Sequence, residues 1–159
     1  MASTTQQSQP QSDVTLEIRR TFAAPRQRVF DAWTRAEELQ KWFAPGPLTA
    51  AVAESDLRVG GRYRITMRAP DGAEHTVSGV YQVVEPPARL VYSWRWEGKP
   101  SAGESTVTVE FYERGRSTEV VLRHDGLPNQ KEIAEHRQGW NGCLEKLAGL
   151  YDGRPTADD

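Results

Sequence analysis

The chain has 159 residues, a net charge of -2 and a pI near 6.0. That length suits one domain with a single core, and the charge excludes bulk attraction to nucleic acid or to an anionic membrane. The one cysteine, Cys143, excludes an intrachain disulfide and fits a reducing, cytoplasmic compartment.

Residues 1–13 are rich in Ser, Thr and Gln with no apolar core, so they read as a disordered tail and not as a signal peptide. Residues 152–159 read the same way, which leaves 14–151 as the folded domain. No run approaches the roughly 18 apolar residues of a membrane span, so no membrane insertion is expected. His75, His124 and His136 lie far apart, and with one cysteine they give no zinc spacing. Neither a metal nor another cofactor is expected.

Val14, Leu16, Ile18 and Phe22 alternate with polar residues as a half-buried strand does. Pro25 opens a short helix carrying Val29, Phe30 and Trp33 on one face. Thr34 and Glu37 have capping-box spacing and predict a second short helix with Leu39, Trp42 and Phe43, stopped by Ala44-Pro45-Gly46-Pro47. A weak strand follows over 48–54. After the Gly60-Gly61 turn, Tyr63, Ile65 and Met67 alternate with Arg62, Arg64 and Arg68. Pro70-Asp71-Gly72 is a turn signal. Val77, Gly79, Tyr81 and Val83 form the next alternation, broken by Glu85-Pro86-Pro87. Leu90, Tyr92, Trp94 and Trp96 follow, then a Gly/Pro/Ser loop from Gly98 to Gly103. Val107, Val109 and Phe111, and then Thr118, Val120 and Leu122, flank the hairpin turn Arg114-Gly115-Arg116. Period-two strands joined by such turns predict an antiparallel sheet. Asn129 and Glu132 then mark a helix start. Ile133, His136, Trp140, Cys143, Leu144, Leu147 and Tyr151 recur at three and four residues, a single apolar stripe that only the sheet can cover.

The fold class this order predicts is α+β. A curved antiparallel sheet and two short helices wrap a long C-terminal helix, often with a cavity between sheet and helix. The inward strand faces carry Tyr63, Met67, Tyr81, Tyr92, Trp94 and Trp96, and the helices add Trp33, His136, Trp140 and Cys143. Aromatic rings make rigid apolar walls, and Tyr, Trp and His add polar handles, a composition that suits a small planar ligand. Each ring taken alone reads first as ordinary core, and it is the group that points to a cavity wall. His136 lacks an evident catalytic partner, and a buried Cys143 behaves as a small hydrophobe. His124 and Asp125 are adjacent on a strand and face opposite sides, so they form no dyad. The strip Arg62, Arg64, Arg68 reads as a solvated sheet face.

The matching set Arg19-Thr21-Phe22-Ala24-Pro25, Val29-Phe30, Ala32-Trp33-Thr34, Trp42, Gly60-Gly61, Gly79-Tyr81, Pro86-Pro87, Arg89 through Trp94, Thr106-Val107-Thr108 and Gly139-Trp140 with Leu144 and Leu147 resembles one family. That family is named after the activator of the heat-shock protein 90 ATPase and lies within the START-like, Bet v 1-like (SRPBCC) helix-grip superfamily. The resemblance implies the helix-grip fold and a pocket, and carries no catalytic motif over. It does not imply chaperone activation, because the named activator's separate N-terminal domain has no counterpart here.

The expected role is therefore binding of an apolar or aromatic small molecule, with no catalytic residues, by a monomer or homodimer. The alternatives are a polyketide cyclase/dehydratase-type enzyme using His136 and tyrosines, or a chaperone-associated partner.

Overall fold

The computed structural model describes residues 15–99 and 103–151. The two expected tails, Val14 and the centre of the Gly98–Gly103 loop lie outside the described residues. The elements in chain order are β1 (Thr15–Phe22), α1 (Arg26–Thr34), α2 (Ala36–Trp42), β2 (Thr49–Ser55), β3 (Arg62–Arg68), β4 (Glu74–Glu85), β5 (Arg89–Trp96), β6 (Glu104–Arg114), β7 (Ser117–Asp125) and α3 (Gln130–Tyr151). The strands form one antiparallel sheet in the order β1-β7-β6-β5-β4-β3-β2. Strands β2 to β7 follow as successive hairpins, because each break carries turn chemistry. At the β3–β4 turn, Gly72 takes φ 92°, and the Ala73 N–H donates to Asp71 Oδ1 at 3.0 Å.

One face of the sheet packs on α3, α1 and α2, and the other carries charge. Arg64 pairs with Glu97 at 2.9 Å and Arg68 with Glu74 at 2.8 Å. The hydrogen bond from Arg64 holds the Glu97 carboxyl below its usual range. Arg64 and Arg68 are thus matched by Glu97 just beyond β5 and Glu74 on β4, and exposed pairs of this kind add little stability.

The short helices bury Val29, Phe30, Trp33, Leu39 and Trp42. The expected cap at Thr34 is not used. The Thr34 hydroxyl donates back to the Phe30 carbonyl at 2.9 Å, and α2 starts one residue later, with Arg35 at its N-cap and no side-chain capping bond. A threonine ending one helix satisfies that helix's free carbonyl before it serves the next. The β4 alternation also departs from expectation. Register against β5 shifts between Tyr81 and Val83, so Val84, not Val83, packs on the core opposite Leu90. A bulge resets which residues face inward, and period-two reasoning cannot pass it.

Helix α3 begins as expected: the Glu132 N–H donates to Asn129 Oδ1 at 2.9 Å. Its stripe of Ile133, Trp140, Cys143, Leu144 and Leu147 is buried. Asn129→Ala should lower unfolding free energy by about 1 kcal/mol, the usual worth of an N-cap, as read by urea denaturation. No helix among the described residues is long and apolar enough to cross a membrane.

Candidate functional site

A cavity of about 290 Å³ lies between the first half of α3 and the sheet. Its walls come from four places. Phe43, Pro45 and Leu48 belong to the segment after α2, and Met67 and His75 to the β3–β4 hairpin. Trp94, Trp96 and Lys99 come from β5 and its extension; Glu132, Glu135, His136, Gly139, Trp140 and Cys143 come from α3.

The 44–48 loop is held against α3 by two features. Gly142 leaves room for it, since a Cβ there would lie 3.0 Å from Pro45 Cβ. Lys146 Nζ donates to the Leu48 carbonyl at 2.9 Å. Gly139 has the opposite surroundings. A Cβ at this position would meet nothing within 4 Å, so the cavity reaches the helix backbone here.

Indoles and imidazoles form the deep wall. Trp140 Nε1–H donates to His124 Nδ1 at 3.1 Å, and His124 Nε2 lies 2.7 Å from Ser105 Oγ. His124 therefore carries its proton on Nε2 and donates it to Ser105. Trp96 Nε1–H donates to His136 Nε2 at 3.4 Å, and His136 Nδ1–H donates to the Glu132 carbonyl at 2.9 Å. His124 thus keeps one acceptor nitrogen, the pattern of a neutral ring. Burial, with a smaller contribution from His136, pulls the His124 pKa down to about 3. Burial pushes the Cys143 thiol up to about 12, so at neutral pH it is neither thiolate nor nucleophile. Trp94 Nε1 is buried and has no hydrogen-bond partner among the described residues. Its ring centroid lies 5.4 Å from those of both Trp96 and Trp140.

Of the nine residues expected at the site, Met67, Trp94, His136, Trp140 and Cys143 line the cavity. Trp33 does not reach it: it is packed against Trp42 and Phe111, with its N–H donating to Tyr92 Oη at 3.3 Å. Tyr63, Tyr81 and Tyr92 form a separate cluster with centroids 5.1 to 6.2 Å apart. Phe43 and Ile65 enclose with them a void of only about 10 Å³, the space of one water. Phe43 borders both spaces and divides them. The tyrosine hydroxyls are engaged: Tyr63 donates to the Ser93 carbonyl at 2.6 Å, and Tyr81 lies 2.7 Å from Ser55 Oγ. Burial raises the pKa of all three.

Sequence reasoning set Trp96 on the inward face without counting it among the site residues, and it missed Phe43, Glu132, Glu135 and, behind the wall, His124. Continuing the alternation Thr118, Val120, Leu122 by two residues would have placed His124 inward. Its neighbour Asp125 faces away and accepts from Thr15 Oγ1 at 2.8 Å, so the two form no dyad.

A curved antiparallel sheet closed on a long C-terminal helix, with a cavity between them, is the helix-grip architecture. Within it, this chain belongs to the family described as activator of Hsp90 ATPase homolog 1-like protein, which matches residues 23–152. It is 28% identical over 125 residues to the human activator of 90 kDa heat shock protein ATPase homolog 1, covering 79% of this chain and 33% of that protein. The chain thus spans about a third of that relative's length. Among solved structures, protein CV1439 from Chromobacterium violaceum is similar at TM-score 0.81 and 26% identity, covering 89% of this chain and 99% of that one. PFC0360w, an HSP90 activator from Plasmodium falciparum, shares the fold at TM-score 0.67 and 23% identity, covering 86% of this chain and 95% of that one.

Proposed function

We propose that this protein is a cytoplasmic binding protein for a small apolar or aromatic molecule held between the sheet and α3, without chemistry of its own. The observation that carries this reading is the cavity of about 290 Å³ walled by Phe43, Trp94, Trp96 and Trp140. Its volume sits at the lower end of ligand pockets, about 300 to 1,000 Å³. The enzyme alternative is weaker. Both His136 nitrogens are hydrogen-bonded within the protein and Cys143 stays protonated, so neither of these two offers a free base or nucleophile to the cavity.

The test is an amide and indole NMR titration with a panel of small aromatic compounds, run on the native protein and on Gly139→Leu. Leucine at this position enters open space and restores helix propensity, so the fold is retained or gains about 1 kcal/mol. Its side chain fills the cavity. Shifts around Trp94, Trp96 and Trp140 in the native protein, weakened at least about tenfold in the variant, support the reading. Absence of shifts with every compound, or binding unchanged by the plug, refutes it.

A second reading, contact with the 90 kDa heat-shock protein, draws on the human relative named as an activator of its ATPase. It predicts a change in the chaperone's ATPase rate on addition of this protein. No change at high molar excess removes it.

A further inference from the structure

We propose that the cavity selects an organic cation, an amine or quaternary ammonium group on an aromatic or apolar body, over neutral and anionic molecules of the same shape. This rests on the ligand-binding reading above and names the class of ligand.

The first observation is the arrangement of the rings. Trp94 and Trp96 meet at 86° and Phe43 and Trp140 at 80°, with centroids 5.4 and 5.6 Å apart. Rings set at such angles build a corner, not a flat slot. A compact cation in such a corner is attracted by the quadrupole of each ring whose face it meets.

The second is the charge on the lining. Glu132 and Glu135 both line the cavity, whereas among the described residues Lys99 is its only lysine and no arginine lines it. Neither carboxylate pairs with a lysine or arginine among the described residues. Glu132 Oε1 lies 3.8 Å from His136 Nδ1, which is hydrogen-bonded to the Glu132 carbonyl at 2.9 Å. Glu135 makes no ion pair among the described residues. The outer sheet face differs: there Arg64, Arg68 and Arg114 each pair with a glutamate.

The third is Lys99 itself. Its ammonium sits 5.9 Å from the centroid of Trp96, so this indole already holds a cation. Lys99 is exposed, and an incoming ligand cation displaces it from the ring instead of pairing with it. Removing Lys99 should therefore strengthen binding of a cation, the reverse of what a receptor for anions would show.

Calorimetric titration with three probes of one shape tests this: 2-naphthylmethylammonium, 2-naphthylmethanol and 2-naphthoate. The ammonium probe is expected to bind about tenfold more tightly than the alcohol, the scale of a partly desolvated cation–π contact, with the carboxylate weakest. Glu135→Gln should narrow the gap between ammonium and alcohol, and Lys99→Gln should widen it. Thermal melting confirms that both variants fold. Equal binding of ammonium and alcohol, or tightest binding of the carboxylate, overturns the cation preference while leaving the ligand-binding reading intact. Failure of all three probes to bind overturns both.

Discussion

Gly79→Ala is expected to lower the unfolding free energy by about 3 kcal/mol or more, the combined scale of an overpacked core and a broken buried hydrogen bond. Tyr63 stands opposite Gly79 across the β3–β4 pair. Its side chain crosses β4 and donates to the Ser93 carbonyl on β5 at 2.6 Å. That crossing requires a residue without a side chain. A Cβ at Gly79 would overlap the Ser93 carbonyl oxygen and come within 2.8 Å of Tyr63 Cε2. Neither neighbour can yield cheaply, because Ser93 is strand backbone whose side-chain oxygen also accepts from the Val80 N–H at 2.9 Å. For a chain of this size the change should appear as a fall in Tm of about 6 to 12 °C. Gly149→Ala is the control, since a Cβ there meets nothing within 4 Å, and alanine should slightly stabilise the helix. Similar melting temperatures for Gly79→Ala and the native protein would mean that Tyr63 does not lock the three strands.

The second large effect is acid destabilisation through His124. This residue is completely buried, and both ring nitrogens are engaged. A second proton on Nδ1 would face the Trp140 N–H and place a charge 4.9 Å from the centroid of the His136 ring. The folded protein therefore holds His124 neutral down to about pH 3, whereas in the unfolded chain an unperturbed histidine takes up its proton near pH 6.5. Between those values the unfolded state binds the extra proton. Unfolding is then favoured as pH falls, and stability rises with pH. The slope approaches about 1.4 kcal/mol per pH unit below the unfolded pKa, so a drop from about pH 6.5 to pH 4.5 should remove roughly 2 kcal/mol. Urea unfolding across this range should be steeper for the native protein than for His124→Gln, whatever the variant's absolute stability. Parallel curves would show that the ring is protonated in the folded state.

The elements were legible in the chain because their signals are local. Side chains alternate at every second strand residue, so Leu90, Tyr92 and Trp94 announce an inward face without knowledge of their neighbours. Pro70-Asp71-Gly72 encodes its own turn, and Asn129 with Glu132 its own helix start. Local signals failed where two elements compete for one group, as at Thr34, and where an extra residue enters one strand, as between Tyr81 and Val83.

The site was half legible for a related reason. Inward-facing is a property of one strand, and the sequence alone determined that Trp94, Trp140, His136, Tyr63 and Tyr92 turn toward the helix. Which of them border empty space depends on where the curved sheet parts from α3. Only the tertiary structure decided that Phe43 seals the tyrosines into a packed cluster while Trp94, Trp96 and Trp140 line a cavity. It also decided that two glutamates from the exposed side of α3 reach the same opening. Those outcomes come from contacts between residues scores of positions apart, and no periodicity within one segment encodes the distance between two others.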